Sequence, residues 1–360
     1  MKRLLIFSLA YHPRVGGAEV AIKEITDRIQ DVEFHLVTKR FSSSDSVFER
    51  LGNVQVHRVG GPAFLYPFVS FLKARQLHRQ KKFDGAWAMM SYMVLPIVLL
   101  RMGGIRLPYV LTLQEGDTYE YMFGRLHIKP FLPFIDRGVR NAAIVQTIST
   151  FLSVWARKRG YHGDIVVVPN GVDTKKFSGE HVPQKGTTLI TTSRLVHKNG
   201  IDTVIRALPN LPNVEFVICG TGPDEQMLKT LAKELGVTER VHWRGFVSHD
   251  DMPRHLHHSD IFIRPSRSEG MGNSFVEAMA AGLPVIATQE GGLKDFINSH
   301  TAWVVCKDHP EDIVMAVQDI LGNPEHTNRV IQTARELAFT KYDWDLIAKD
   351  MREQVFARVL

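Results

Sequence analysis

Arg267-Ser268-Glu269-Gly270-Met271-Gly272-Asn273-Ser274-Phe275-Val276-Glu277-Ala278-Met279-Ala280 is the stretch on which the fold turns. It follows the apolar run Ile261 to Arg264 and precedes the short apolar run Pro284 to Ala287. Ser274 and Glu277 have the Ser-x-x-Glu spacing of a capping box, which predicts a helix opening at Ser274. The pattern is therefore strand, glycine-rich loop, helix, strand. Such a crossover unit presents its loop at the positive end of a helix, where ligands bind. Glu269 in the loop and Glu277 in the helix stand eight positions apart and are candidate ligand contacts.

The same pattern repeats on the N-terminal side of this stretch. Thr188 to Thr192 reads as a strand, Ser193 to Gly200 as a loop, and Ile201 to Leu208 as a helix. Val214 to Cys219 leads into the turn Gly220-Thr221-Gly222-Pro223, and an amphipathic helix runs on to Leu235. In the first half Leu4 to Leu9 precedes Gly16-Gly17-Ala18-Glu19, which opens a helix with apolar positions at Val20, Ala21, Ile22, Ile25 and Ile29. Those glycines either bring backbone N–H groups close to a phosphate or serve a plain tight turn. Further strands are expected at Phe34–Thr38, Val54–Val59, Gly85–Met90, Tyr109–Leu113, Ala143–Thr147 and Ile165–Val168. Tyr109–Leu113 runs into Gln114-Glu115-Gly116-Asp117, polar groups at the carboxyl end of a strand.

Strands alternating with helices in both halves predict an α/β protein of two doubly wound domains. Pro169-Asn170-Gly171 is a turn signal, and the polar run Thr174 to Gly186 is read as the linker. The predicted division is 1–169, 170–342 and a terminal helix over 343–360.

A chain of 360 residues buries enough surface to need no disulfide or metal staple. Cys219 and Cys306 both sit in apolar runs and are expected to be buried thiols in a reducing compartment. Lys2-Arg3 before Leu4 to Leu9 imitates a signal peptide, but the apolar run is short and reads as a buried first strand. No stretch approaches the roughly 20 apolar residues of a membrane span. The expected location is the cytoplasm, with the inner membrane face as a further candidate. Residues 1–160 carry 23 Lys and Arg against 12 Asp and Glu, whereas the remainder is net acidic. A basic half suits an anionic acceptor or membrane surface. Nucleic acid is not indicated, because no recognition motif accompanies the charge. The segment Phe64 to Lys82, aromatic first and basic after, reads either as an interfacial helix or as a core-facing helix with a solvated end.

Arg194 and Lys198, beside Gly200 at a helix start, form a cation pair suited to a diphosphate. Glu277 suits a ribose diol. With these residues together the sequence resembles the retaining, nucleotide-sugar-dependent glycosyltransferases of the GT-B architecture, family-four type. The matching residues are Gly16-Gly17-Ala18-Glu19, Pro169-Asn170-Gly171-Val172-Asp173, Ser193-Arg194-Leu195 with Lys198, Gly220-Thr221-Gly222-Pro223, and the Glu-x7-Glu stretch from Glu269 to Glu277.

The resemblance implies two Rossmann-like domains facing across a cleft, the terminal helix crossing back to the first. It implies a donor site of Gly16, Gly17, Arg194, Lys198, Gly220, Gly222, Glu269, Met271, Gly272, Asn273, Ser274 and Glu277. Arg194 and Lys198 would hold the diphosphate, Glu277 the ribose, and Glu269 the transferred sugar. Glu269, Arg194 and Lys198 are the implied catalytic residues. The co-substrate would be a UDP- or GDP-linked sugar, the acceptor a glycan or lipid-linked molecule, with no metal and no other cofactor. Many relatives have a histidine after the strand matching Tyr109–Leu113. Here Gln114, Glu115 and Asp117 stand there, as sugar contacts, acceptor contacts or structure. An epimerase or hydrolase on the same scaffold, or a silent sugar-nucleotide binding module, are the competing readings.

Overall fold

Trp344, Ile347, Met351 and Phe356, from the last 17 residues, sit fully buried among the strands of the chain's opening half. In the computed structural model, which describes residues 1–183 and 185–360, the chain forms two units. One comprises Met1–Asn170 with Trp344–Leu360, the other Gly171–Asp343.

The first unit is built on eight strands: β1 (Lys2–Phe7), β2 (Val32–Lys39), β3 (Phe48–Leu51), β4 (Val54–Val59), β5 (Gly85–Met89), β6 (Tyr109–Leu113), β7 (Ile144–Thr147) and β8 (Ile165–Val167). Their order is β3-β4-β2-β1-β5-β6-β7-β8, parallel throughout except for β3 against β4. Strands β1, β5 and β6 are near-continuous apolar runs because helices cover both faces. The terminal segment adds to this core: Phe356 meets Trp87 edge-on at 5.0 Å, and a Cβ at Gly85 would lie 2.6 Å from the Val359 carbonyl. Arg28–Asp345 and Arg352–Asp31 ion pairs fasten it at the surface.

The second unit has β9 (Thr187–Thr192), β10 (Val214–Cys219), β11 (Val241–Gly245), β12 (Ile261–Arg264), β13 (Val285–Ala287) and β14 (Trp303–Val304), all parallel in the order β11-β10-β9-β12-β13-β14. Strands β9, β10 and β12 therefore lie side by side, and the loops leaving their carboxyl ends are neighbours.

Four expectations need correction, the last two at the site. Cys219 is buried, its thiol pushed up to about 11 by burial, but Cys306 is exposed because it follows the edge strand β14 and its backbone N–H turns to Asp312. The run after Thr174 is not all irregular. Asp173 caps a short helix, Thr174–Phe177, through the Lys176 N–H at 3.0 Å, and Phe177 is fully buried in the second unit. The third and fourth concern Ser274 and Glu115 and are described with the site.

The helix Tyr66–Lys81 has two apolar faces. Tyr66, Ala74 and Leu77 are buried against the sheet, while Phe68, Leu72 and the preceding Phe64 and Leu65 are exposed. The core-facing reading of this segment holds for one face of the helix, and the other face leaves apolar side chains exposed. No helix among the described residues is long and apolar enough to cross a membrane.

Between β2 and β4 the rings of His35 and His57 stack, with Nδ1 of His35 at 3.1 Å from Nε2 of His57. His35 also meets Glu33 at 2.9 Å, and Glu33 is held well below the usual carboxylate range by Arg3, His35 and Lys81, against the opposing effect of burial. Burial, then the charges of His35 and Lys73, lowers His57 from 6.5 to about 4. The unfolded chain therefore takes up this proton at a higher pH than the folded one. The resulting stability is complete above pH 6.5 and disappears as pH falls toward 4, a change on the order of 2–3 kcal/mol. Melting temperatures across that window should fall more steeply for the wild type than for His57→Phe. Parallel slopes would show that the pair does not carry the acid sensitivity.

Candidate donor site

Each loop at the carboxyl edge of the second sheet is shaped by a glycine placed where a side chain will not fit. A Cβ at Gly220 would lie 1.8 Å from the Ser193 carbonyl oxygen, and one at Gly222 2.1 Å from that of Leu195. The loops after β9 and β10 are accordingly laced together, with Leu195 N–H donating to Thr221 and Asp224 N–H to Leu195. These two glycines have a packing reason of their own. Gly200, at φ 67°, starts the helix Ile201–Ala207, with the Pro265 carbonyl where its Cβ would be. Between them, Arg194 is exposed and its guanidinium has no ion pair among the described residues, while Lys198 is half-buried. Asn199, buried, donates to the Arg194 carbonyl at 2.6 Å and holds the loop's shape.

The loop after β12 joins the same group. Arg267 N–H donates to the Lys198 carbonyl at 2.6 Å, and its guanidinium is bidentate on Asp202 at 2.9 and 2.8 Å. Arg267 thus locks the two loops together. Glu269, Met271, Gly272, Asn273, Ser274 and Glu277 follow along one loop and the helix Asn273–Ala280.

That helix begins differently from the capping-box expectation. Gly272, at φ 86°, is the cap, and Ser274 lies inside the first turn. The serine hydroxyl is not free to cap because it accepts from Arg264 Nη1 at 2.8 Å. Glu277, released from capping, meets His249 Nε2 at 3.2 Å.

Arg264 is the residue that sequence reasoning passed over. It ends β12 and is buried; its Nη2 pairs with Glu269 at 2.7 Å, and its guanidinium lies over the Phe275 ring at 4.3 Å. Burial presses its pKa down, while the Glu269 and Glu277 carboxylates oppose that. The available signal was a lone cation closing an otherwise apolar strand, Ile261-Phe262-Ile263-Arg264. The Glu269 carbonyl in turn accepts from Gly292 N–H at 2.9 Å, and the adjoining Gly291, at φ 59°, has no room for a Cβ against it. Glu269 is therefore fixed at backbone and side chain alike.

The first unit presents its own loops at the carboxyl ends of β1 and β6. Gly16 caps the helix Gly17–Arg28, but its N–H donates to the Glu19 carboxylate at 2.7 Å, and neither Gly16 nor Gly17 takes a positive φ. The side chain of Gln114 packs beside Gly17, and its buried Oε1 has no partner among the described residues. Glu115 belongs to the interior, a correction to its candidacy as a sugar or acceptor contact. It is 1 % exposed and accepts from Ser91 N–H at 2.6 Å, from the Ser91 hydroxyl, and from Gln114 N–H at 2.9 Å. Burial raises its pKa, and those hydrogen bonds oppose the rise. Its role is to hold the turn at Met90–Ser91, where Met90 has φ 75°. Asp117 stays half-buried on the same loop.

Two family models cover most of the chain. One described as Glycosyltransferase Family 4 matches residues 15–176, and one described as Glycosyl transferases group 1 matches residues 172–337. The chain is 25% identical, over 98% of both chains, to a GDP-mannose-dependent alpha-(1-6)-phosphatidylinositol monomannoside mannosyltransferase of Mycobacterium tuberculosis. Among solved structures it is similar to sucrose-phosphate synthase from Thermosynechococcus elongatus, with a TM-score of 0.87, 19% identity, and 99% of this chain and 100% of that one covered. It is also similar to Anabaena HepE in complex with UDP and glucose, with a TM-score of 0.84, 18% identity and the same coverage.

Proposed function

We propose that this chain, which belongs to the GT-B glycosyltransferases of the family-four type, moves a hexose from a nucleoside-diphosphate sugar to a glycan or lipid-linked acceptor with retention of configuration. The observation that carries the reading is the joining of the Arg194–Lys198 loop to the Glu269–Glu277 loop through Arg267. It gathers two cations, two carboxylates and a helix N-terminus at the ends of adjacent strands.

In this reading Arg194 and Lys198 take the diphosphate and Glu277 the ribose hydroxyls. Glu269, steadied by Arg264, accepts from hydroxyls of the sugar. The bond from C1 to the diphosphate oxygen breaks as the acceptor oxygen bonds C1 on the same face. The acceptor's proton passes to the departing phosphate. Arg194, Lys198 and the helix N-terminus neutralise the charge that builds on that phosphate, which is the task a divalent ion performs in other transferases. Gln114, with its unpartnered carbonyl, and Asp117 are the candidate acceptor-side contacts.

The mannosyltransferase relative makes GDP-mannose the first donor to try, with phosphatidylinositol glycosides as acceptors. Acceptor-dependent release of GDP and an α-linked product by NMR are expected. Donor turnover without acceptor would favour a hydrolase or epimerase instead. Glu277→Gln should weaken donor affinity about tenfold at unchanged melting temperature, since an amide oxygen accepts from a diol more weakly than a carboxylate. Unaltered affinity in calorimetry would remove Glu277 from the ribose site.

In our reading this chain works on an anionic membrane face, which the exposed Phe64, Leu65, Phe68 and Leu72 support, on the unit holding the basic excess. Co-sedimentation with phosphatidylglycerol vesicles should fall with salt and with Phe68→Asp/Leu72→Asp. Equal sedimentation of the variant would remove this helix from the interface.

A further inference from the structure

We propose that the first unit carries a second anion site, at the edge of the sheet where the strands begin, for a ligand bearing two or more phosphate groups. The helices of a doubly wound unit run back along the strands, so their C-termini collect at that edge. Three of them end there, Tyr66–Lys81, Val94–Met102 and Leu132–Arg140, beside the loop 103–108 that feeds β6. Two adjoining cavities open among them. One, of about 250 Å³, is lined by Arg101, Arg106 and Arg137 with Tyr109 and Asn141. The other, of about 400 Å³, is lined by Arg75, His78, Arg79, Lys82 and again Arg106. Among the described residues no acidic side chain lines either cavity.

Cations at helix C-termini have an ordinary explanation, because each helix end carries about half a negative charge. Three ends therefore account for roughly one and a half charges, whereas six arginines and lysines line the cavities. Intramolecular pairing does not absorb the surplus. Arg75, Arg79, Lys82, Arg106 and Arg137 make no ion pair among the described residues, although most other arginines of this unit do find a carboxylate or carbonyl. Held together without a counter-charge, these groups repel one another, and an anion relieves that repulsion.

The donors select phosphate. Guanidinium forks match two oxygens of one phosphate, and Arg106, shared by both cavities, links two such positions. Arg101 is oriented by the Asn141 carbonyl at 3.2 Å and by the Tyr109 ring beneath it. His78 accepts from Phe83 N–H through Nδ1 at 3.1 Å, so the neutral ring carries its proton on Nε2 as a further donor. Strand β6 separates this edge from Gln114 by five residues, roughly 16 Å. The site is thus distinct from the loops at the strands' carboxyl ends, and the inference does not depend on the transfer reaction. A soluble diphosphate and a phospholipid headgroup share this chemistry.

Calorimetry of the full chain with inorganic pyrophosphate tests it, in an Arg194→Ala/Lys198→Ala background that disables the other diphosphate loop. Binding should persist there, exceed that of orthophosphate, and weaken about tenfold or more when Arg106→Gln and Arg137→Gln are added. Both positions are exposed, so the melting temperature should hold. A matched loss of charge elsewhere on the unit, Arg125→Gln with Lys129→Gln, should leave binding intact. Vesicles containing cardiolipin, whose headgroup carries two phosphates, separate the sources: sedimentation lost with Arg106→Gln/Arg137→Gln and competed by pyrophosphate identifies a headgroup, and sedimentation indifferent to them identifies a free phosphate compound. If neither probe depends on Arg106 and Arg137, or if the control pair weakens binding equally, the site does not exist.

Discussion

Arg194→Ala combined with Lys198→Ala should lower kcat/KM by about 10³-fold or more while circular dichroism and melting temperature stay those of the wild type. Arg194 is exposed, and Asn199 holds the loop through the Arg194 carbonyl, which alanine retains. The chain's stability therefore does not rest on the guanidinium. The departing diphosphate gathers charge as the bond to C1 breaks, so a cation fixed beside it stabilises the transition state more than the ground state. Removing one such donor costs about 10²- to 10³-fold, and two that act on one group cost less together than the product of their separate effects. Most of the loss should appear in kcat. A rise in KM alone, with turnover preserved, would mean that the pair binds the donor uniformly and does not serve the chemistry.

Much of this arrangement was legible because strand, glycine loop and helix leave a periodic trace, and because Arg194, Lys198, Glu269 and Glu277 fall in loops that such a trace locates. What stayed hidden was what tertiary contacts alone decide. β3 is four residues long with alternating exposure, an edge strand that depends on β4 for its existence. Ser274 and Glu277 have the spacing of a cap, yet the cap is Gly272, because Arg264 claims the serine from ten residues away. Glu115 looked like a site residue by its place after a strand. Its carboxylate instead turns inward to Ser91, a partner 24 residues distant that no local pattern joins to it. Gly220 and Gly222 read as a turn and, through the resemblance, as donor-site residues, and the structure adds a reason that sequence does not carry: the neighbouring loop's carbonyls occupy the space of their side chains.

Arg264→Leu should cost about 3–5 kcal/mol of stability, the larger effect of the two on the fold itself. Leucine fills part of the volume and keeps the contact with Phe275, but it leaves Glu269 without the cation 2.7 Å away, in a site where its side chain is only 13% exposed. An unpaired, largely desolvated carboxylate is the dominant penalty. It follows that Glu269→Gln in the same chain should recover part of the loss, since the amide carries no charge to strand. A coupling of about 1–3 kcal/mol between the two substitutions is expected in denaturant unfolding. Activity should behave oppositely. Arg264→Leu lets Glu269 swing from the position that Arg264, Ser274 and the Gly292 N–H define, and adding Glu269→Gln removes the acceptor altogether, so the double variant regains stability without turnover. Arg264→Lys sharpens the distinction, because it keeps the charge but lacks the fork that spans Glu269 and Ser274 at once. Stability near that of the wild type with slowed transfer would assign Arg264 to the positioning of Glu269. Additive losses across the double-mutant cycle would show instead that the two side chains serve the fold independently.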